Sequence, residues 1–563
     1  MSALLAATTS TGHVVLPHIA YFAIMPVLVM LGGAVVILVA SSLSRRPLDL
    51  SATTSLTLLT SSVAFAFGLV QWFDVLHHGP HATIDNSVVQ DGFSAFFTMT
   101  VTAAVLVATM VGDSWLRRQG VFGPEYHVLT LVSASGAIIM ASANDLIIVF
   151  LGLEILSIAL YVLAAMNSRR AESGEAALKY FVLGAFSSAV FLYGIALVYG
   201  STGTTNLLQI ADYLARNVPL HNGLLLAGLA LLLVGFGFKV AAVPFHLWTP
   251  DVYQGSPTPV AGFMAAVAKA GGFAALLRVF VSSFGLLRDD WRPAVWVLAA
   301  LTLLLGAVVA LVQRDVKRML AYSSINTAGF ILLGLQAANA RGVESSLYYL
   351  FVYTFMVIGS FAVVSVVGGA GDDRHGLERY RGLAARQPWL AAALALFLLA
   401  QAGIPFTTGF LAKLEVITAA VGAHSTALAV IAMVTAAIAA FFYLRVVVVM
   451  YAPLADTAPD DTPEQLEAAY GVEPEASPPA PAPVLAGAAS PGGRGEEGAI
   501  TVPAPSAAAP AAAPDDANRD LVGLHVPLGA ASTIVVCAGI TVLFGLWPAP
   551  IVEFAHKATL LFI

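Results

Sequence analysis

Apolar stretches long enough to cross a lipid bilayer recur along most of this chain, and no other feature limits its fold as tightly. A spanning helix needs about 20 consecutive apolar residues. Such runs fall near 19–41, 51–71, 93–112, 124–142, 144–165, 176–200, 223–243, 257–283, 293–313, 316–336, 343–369, 388–422, 425–451 and 524–548, about fourteen in all. Only 10% of the 563 residues are charged and 58% are hydrophobic, whereas soluble domains carry about 25% charged residues. The expected fold class is therefore an all-α integral membrane protein of about fourteen transmembrane helices. The fourth and fifth runs nearly touch, so Ala143-Asn144-Asp145 must turn tightly at one interface. The one cysteine, Cys537, lies in the last run. A single thiol builds no internal disulfide, iron–sulfur site or four-ligand zinc site. No basic stretch precedes the first run, which reads as a retained helix rather than a cleaved signal.

Orientation follows from the cationic loops. One alternate set holds Arg45, Arg46, Arg117, Arg118, Arg169 and Arg170, then a cluster from Arg314 to Arg386; the other holds only Arg216, Arg288, Arg292 and Arg341, with Lys557 in the tail. The richer set is assigned to the cytoplasm, which leaves both termini outside. Residues 452–521 break the apolar pattern. They are rich in Pro, Ala and Gly and carry twelve acidic residues against Arg494 and Arg519, a net charge of −10. With few large apolar side chains, this stretch cannot bury enough surface to offset its ordering entropy and reads as a disordered cytoplasmic linker. A docking tail for a partner is the other reading. The expected domains are thus 1–451 with helices 1–13, the 452–521 linker, and 522–563 with helix 14 and the tail.

Glu154, Lys239, Lys269 and Lys413 lie inside apolar runs. Each such group costs roughly 2.5–3.5 kcal/mol at bilayer depth, so the four together cost on the order of 10 kcal/mol. A chain keeps them where charge must move through the membrane or a water-filled cavity, which points to proton or ion transport. Snorkelling, the plain alternative, suits Arg278, Arg445 and Lys179 near run ends better than Lys269, mid-run among small residues. For Lys413 the position is intermediate.

Two runs are interrupted. Val243-Pro244-Phe245-His246 closes the seventh, and Ile404-Pro405-Phe406-Thr407 falls within the twelfth, five helices later. Proline frees a carbonyl and breaks or kinks a helix, and paired interrupted helices in two halves mark a transport site near the midplane. Lys239 precedes the first break and Lys413 follows the second. On an uninterrupted helix Lys239 and His246, seven residues apart, would share one face; a core histidine bonded to backbone is the bland reading of His246. For Glu154 the bland reading is a structural salt bridge with a lysine. The functional one uses the same pair. At about 8 Å and an effective dielectric near 20, a carboxylate favours a charged lysine by roughly 2 kcal/mol, so changing their distance would load and unload a proton.

The run Trp248-Thr249-Pro250-Asp251-Val252-Tyr253-Gln254-Gly255, with the preceding Phe238-Lys239 to His246 segment, resembles the signature of subunit N of bacterial NADH:quinone oxidoreductase, respiratory complex I. Gly152-Leu153-Glu154, Lys179-Tyr180, Ala268-Lys269 and Gly403-Ile404-Pro405 to Lys413 extend the resemblance over nearly the whole chain; the 452–521 linker is the main departure. The resemblance implies an antiporter-like proton channel with two inverted five-helix repeats, about 124–283 and 293–451, and broken helices 7 and 12. It implies that Glu154 and Lys239 form a coupled pair, that His246 and Lys269 form the central relay, and that Lys413 is the outward-exit lysine, with Lys179 a further family lysine. It implies no cofactor in this chain, with FMN, iron–sulfur clusters and quinone held by partner subunits. Partners would be the other membrane and peripheral subunits and the lipid bilayer, with no nucleic acid, in a bacterial cell membrane. The alternatives are a Mrp-type cation/proton antiporter subunit, a ferredoxin- or deazaflavin-fed relative of complex I, and a structural membrane spacer whose charges only pair.

Overall fold

The computed structural model describes residues 19–44, 48–217, 222–369, 371–453 and 525–558. Nearly all of the expected linker at 452–521, together with Arg45 and Arg46, lies outside the described residues. The first half comprises α1 (Tyr21–Leu43), α2 (Leu50–His78), a short hairpin β1 (His81–Thr83) and β2 (Val88–Gln90), α3 (Gly92–Gln119), α4 (Glu125–Ser142), α5 (Leu146–Ala164), α6 (Ala171–Thr202), α7 (Leu207–Arg216), α8 (Gly223–Val240), α9 (Trp248–Gly255) and α10 (Thr258–Ser283). The second comprises α11 (Arg288–Leu311), α12 (Val316–Ala337), α13 (Ala340–Val367), α14 (Pro388–Ala402), α15 (Thr408–Gly422), α16 (Thr426–Tyr451), α17 (Leu528–Leu546) and α18 (Ala549–Lys557).

Among the described residues, eleven helices are long and apolar enough to cross a membrane. The expected runs at 124–142, 316–336 and 388–422 are not among them. The first two form α4 and α12, which carry more polar residues, and the third is divided into α14 and α15. Burial explains the lower hydropathy of α12: nearly every residue is buried, Lys317 and Asn326 included. A helix whose polar groups meet protein need not be as apolar as one that meets lipid. Conversely, α1 shows Val35, Val36 and Leu38 outward and buries only 22% of its apolar window. At the centre stand α10, whose window is wholly buried, and α13, buried over 94%.

Close helix contact relies on small residues, since no hydrophobic effect drives helices together in lipid. A Cβ on Gly136 of α4 would meet the Leu156 amide nitrogen at 2.5 Å and the Gly152 carbonyl at 2.6 Å. The α11–α12 pair repeats the device: a Cβ on Gly306 would sit 2.6 Å from the Asn326 nitrogen. The expected tight turn at Ala143-Asn144-Asp145 is present. The Asn144 amide donates to the Ser87 carbonyl at 2.8 Å, and the Asp145 carboxylate accepts from Ile147 N at 2.8 Å, capping α5.

Both interrupted helices are broken, at positions ahead of their prolines. Helix α8 ends at Val240, with Ala241 left-handed at φ 62°, before the cis Val243–Pro244 bond. Helix α14 ends at Ala402, Gly403 has φ 91°, and α15 resumes at Thr408. The cause is local: proline offers no amide hydrogen, and it steers the residue before it out of helical geometry. Lys239 and His246 consequently do not share one helix face.

Candidate functional site

Four lysines are buried inside the bundle: Lys317 at 0% exposure, which donates to the Ser256 carbonyl at 2.7 Å beside the charge of Asp372, and Lys239 at 4%, Lys269 at 3% and Lys413 at 7%. The last three meet neutral groups. Lys239, in the last turn of α8, donates to Ser157 Oγ on α5 at 2.9 Å and lies 3.4 Å from the Tyr180 hydroxyl on α6. Lys269 donates to the carbonyl of Ser324 and stands 5.7 Å from the centre of the Tyr353 ring. It directly follows a π-helical turn, Met264–Ala268, a local widening of the kind often found at functional sites. Lys413 folds back across the second break to the Ala402 carbonyl at 2.9 Å, and its ammonium lies 4.9 Å from the Phe330 ring centre. That bond satisfies a carbonyl that the end of α14 leaves without an intrahelical donor.

Glu154 lies one turn before Ser157 on α5, half-buried, within electrostatic reach of Lys239. It forms no salt bridge with Lys239: Ser157 takes that ammonium, and Glu154 Oε1 is buried without a hydrogen-bond partner among the described residues. Beside them is a cavity of 10 Å³ lined by Ser157, Tyr161, Ser187, Ser188 and Lys239, about the room one water needs. His246 follows the first break, 6% exposed, with its Nδ1 buried and unpartnered among the described residues. No direct hydrogen bond joins it to Lys239 or Lys269. The structure therefore brings Lys239 to Ser157 with Glu154 within electrostatic reach, and it does not join His246, Lys269 or Lys413 to them by direct hydrogen bonds.

Lys179 stands apart from this row. It is 43% exposed and pairs with Glu175 at 2.7 Å and Asp251 at 2.9 Å; Arg318 takes the other Asp251 oxygen at 2.7 Å. Arg278, read from the sequence as snorkelling, is not. It is 2% exposed and forms a two-point ion pair with Asp91 at 2.9 and 2.8 Å, while its Nε donates to the Ala141 carbonyl at 2.8 Å. Asp91 also caps α3 through the Ser94 amide at 2.7 Å. Arg445 donates to the carbonyls of Leu311, at 2.5 Å, and Gln313 beyond the end of α11.

The opposite end of α10 is held by Asp372, from the loop after α13. Its carboxylate accepts from Thr258 N at 2.8 Å, Thr258 Oγ1 at 2.5 Å and Trp115 Nε1 at 3.2 Å, and its carbonyl accepts from Arg170. Burial favours the neutral acid, but the charge of Lys317, then His375 and Thr258, outweigh it and hold the Asp372 carboxyl well below the usual carboxylate range. The helix bearing Lys269 is thus clamped by a buried carboxylate at each end. Sequence reasoning missed both clamps, and it missed the lysine acceptors Ser157, Tyr180 and Ser324. A hydroxyl in an apolar run gives no clear signal, because Ser commonly bonds its own helix, as Ser157 does to the Leu153 carbonyl at 2.5 Å.

Residues 143–439, which hold Glu154, Lys239, Lys269 and Lys413, match the family described as "NADH:quinone oxidoreductase/Mrp antiporter, TM". The NADH-quinone oxidoreductase subunit N of Trichlorobacter lovleyi is 44% identical over 370 residues, 66% of this chain and 76% of that protein. A chain of respiratory complex I from Thermus thermophilus, solved with bound aureothin, is 31% identical with a TM-score of 0.69, covering 94% of this chain and 99% of that one. A chain of the Mrp complex from Dietzia sp. DQ12-45-1b is 20% identical with a TM-score of 0.74, covering 96% of each. At that identity the likeness is one of fold alone.

Proposed function

This chain belongs to the NADH:quinone oxidoreductase/Mrp antiporter family as a subunit N, and on that premise we propose that it carries protons across the membrane along its buried lysines. It does so as a membrane subunit of a redox-driven NADH:quinone oxidoreductase. Electron transfer takes place in partner subunits, which hold FMN, iron–sulfur clusters and quinone. The path runs from Glu154 and Lys239 through His246 and Lys269 to Lys413, with Lys179 at its margin.

One contrast carries this reading. Arg278, equally buried, has a carboxylate in two-point contact. Lys239, Lys269 and Lys413 meet only hydroxyls, carbonyls and ring faces. A buried charge kept for structure needs a counter-charge. A lysine with neutral acceptors can hold its proton or release it without stranding a partner. The unpartnered Glu154 Oε1 and His246 Nδ1 fit the same use, since buried polar atoms are ordinarily satisfied by protein or water and water can bridge such gaps.

In this reading the bundle crosses the membrane fourteen times: the eleven long apolar helices together with α4, α12 and the α14–α15 pair. The glycine-packed pairs α4–α5 and α11–α12 open the two inverted repeats, and both termini face outward. In inverted vesicles, complexes that assemble with Lys239→Ala or Lys269→Ala should lose most NADH-driven proton uptake. Wild-type uptake in both would overturn the assignment. Sodium-dependent uptake without NADH would favour the Mrp-type reading instead.

A further inference from the structure

Between Lys269 and Lys413 lies a polar cluster that contains no charged residue. Ser323 and Ser324 are consecutive on α12. The Ser324 carbonyl holds Lys269, and the Ser323 hydroxyl is hydrogen-bonded to the Tyr443 hydroxyl of α16. Gln401 and Ala402 are consecutive at the end of α14. The Ala402 carbonyl holds Lys413, and the Gln401 amide reaches into the same cluster. Gln401 Nε2 donates to Ser360 Oγ at 2.8 Å, while its Oε1 lies 3.4 Å from Ser323 Oγ and 3.5 Å from the Tyr443 hydroxyl. The hydrogen bonds fix the orientation of the amide. Ser360 spends its own hydrogen on the Met356 carbonyl at 2.9 Å, so it can only accept from Gln401, and the amide nitrogen must face it.

All four side chains are buried, Ser323 at 1%, Ser360 at 0%, Gln401 at 5% and Tyr443 at 2% exposure. Burying an amide is costly unless it is hydrogen-bonded. The neighbours of Gln401 on α14 are apolar, and a methionine or leucine would fill the same volume. An amide at this place therefore calls for a reason beyond packing.

We propose that Gln401 is a positioning residue for proton transfer between Lys269 and Lys413, an inference that rests on the proton-path reading above. Its oxygen is an acceptor only. Either Ser323 or Tyr443 can donate to the other, and the hydrogen left over turns to the Gln401 oxygen, which holds the pair in one of two head-to-tail arrangements between the two lysine-holding carbonyls. In a transfer step an N–H bond of Lys269 breaks and one forms on neutral Lys413. Each hydroxyl between them takes a proton on a lone pair as it releases its own, with water spanning from hydroxyl to ammonium at either end. The hydroxyls finish turned the other way, and the Gln401 oxygen, within reach of both, accepts the free hydrogen of either arrangement while the pair turns back for the next proton. The amide itself is never protonated.

The test uses the intact complex in proteoliposomes, with NADH-driven proton uptake followed in ordinary and heavy water. Gln401→Met and Tyr443→Phe should each slow uptake about tenfold, the rate equivalent of one lost hydrogen bond, and should raise the solvent isotope effect. The double variant should be no slower than the slower single one, because both act on one connection. Gln401→Glu, which as the neutral acid keeps the acceptor oxygen and a hydrogen for Ser360, should recover most of the rate. If Gln401→Met does not assemble, Tyr443→Phe and Gln401→Glu carry the same comparison. Wild-type uptake and isotope effect in Gln401→Met and Tyr443→Phe, with Lys269→Ala and Lys413→Ala impaired, would overturn the role of Gln401 and leave the proton path standing. Wild-type uptake in both lysine variants would remove the path and this inference with it.

Discussion

Removing Arg278 isolates what the buried clamp on α10 contributes. Arg278→Met keeps the length and apolar volume of the side chain but strands Asp91, whose carboxylate is 1% exposed, with only the Ser94 amide for support. It also frees the Ala141 carbonyl at the end of α4. Breaking a buried ion pair from one side costs about 3–5 kcal/mol, most of it the penalty of the orphaned charge. The double change Arg278→Met with Asp91→Asn removes both charges and keeps a side-chain oxygen to cap α3. It should recover about half or more of that loss, since a well-packed neutral pair often equals an ion pair. The assay is the thermal midpoint of the purified complex, read from aggregation of this subunit, with the three variants forming a double-mutant cycle. A double variant as unstable as Arg278→Met would refute the orphaned-charge explanation and leave packing as the cause.

Asp372 gives the fold a defined acid sensitivity. Because its folded-state pKa is depressed, its contribution is fully present above the unfolded carboxylate value of about 3.9 and is lost as pH falls below that toward the folded value. Asp372→Asn should lower the thermal midpoint at pH 7 and flatten its fall below about pH 4; an unchanged acid profile would assign the acid sensitivity elsewhere. At the α4–α5 contact, Gly136→Val should cost about 3 kcal/mol or more through backbone overlap, seen as loss of the subunit from membranes. Gly200→Ala, whose Cβ would meet only Leu224 Cδ2 at 3.6 Å, should be silent. Normal accumulation of Gly136→Val would contradict the close packing there.

The depth of Lys269 was legible because it sits mid-run among small residues, whereas Lys239 lies just ahead of Pro244 and Lys413 two residues before Glu415, where only the insertion cost marked them. The two broken helices were legible from Pro244 and Pro405. Their exact ends were not, since the left-handed residues that stop the helices, Ala241 and Gly403, lie ahead of the prolines rather than beside them. Arg278 misled because a cation near a run end fits snorkelling equally well; its partner Asp91 is 187 residues away in sequence, and no local pattern joins them. Ser157, Tyr180 and Gln401 stayed hidden for a related reason. Which face of a helix a lone polar residue occupies is decided by the neighbours that tertiary packing supplies. The pairing of Glu154 with Lys239 rested on the family resemblance alone, and Ser157, which takes the Lys239 ammonium, was invisible from spacing.

The most direct test of proton carriage is a substitution that keeps the charge and removes the titration. Arginine stays protonated throughout the accessible pH range, so Lys269→Arg preserves a cation at the centre of the bundle yet cannot release a proton. The quantity to measure is protons translocated per NADH oxidised by the assembled complex in sealed proteoliposomes. If Lys269 carries protons, Lys269→Arg should pump far fewer than wild type even though the complex assembles. Wild-type stoichiometry and rate in Lys269→Arg would show that the lysine serves only as a fixed charge.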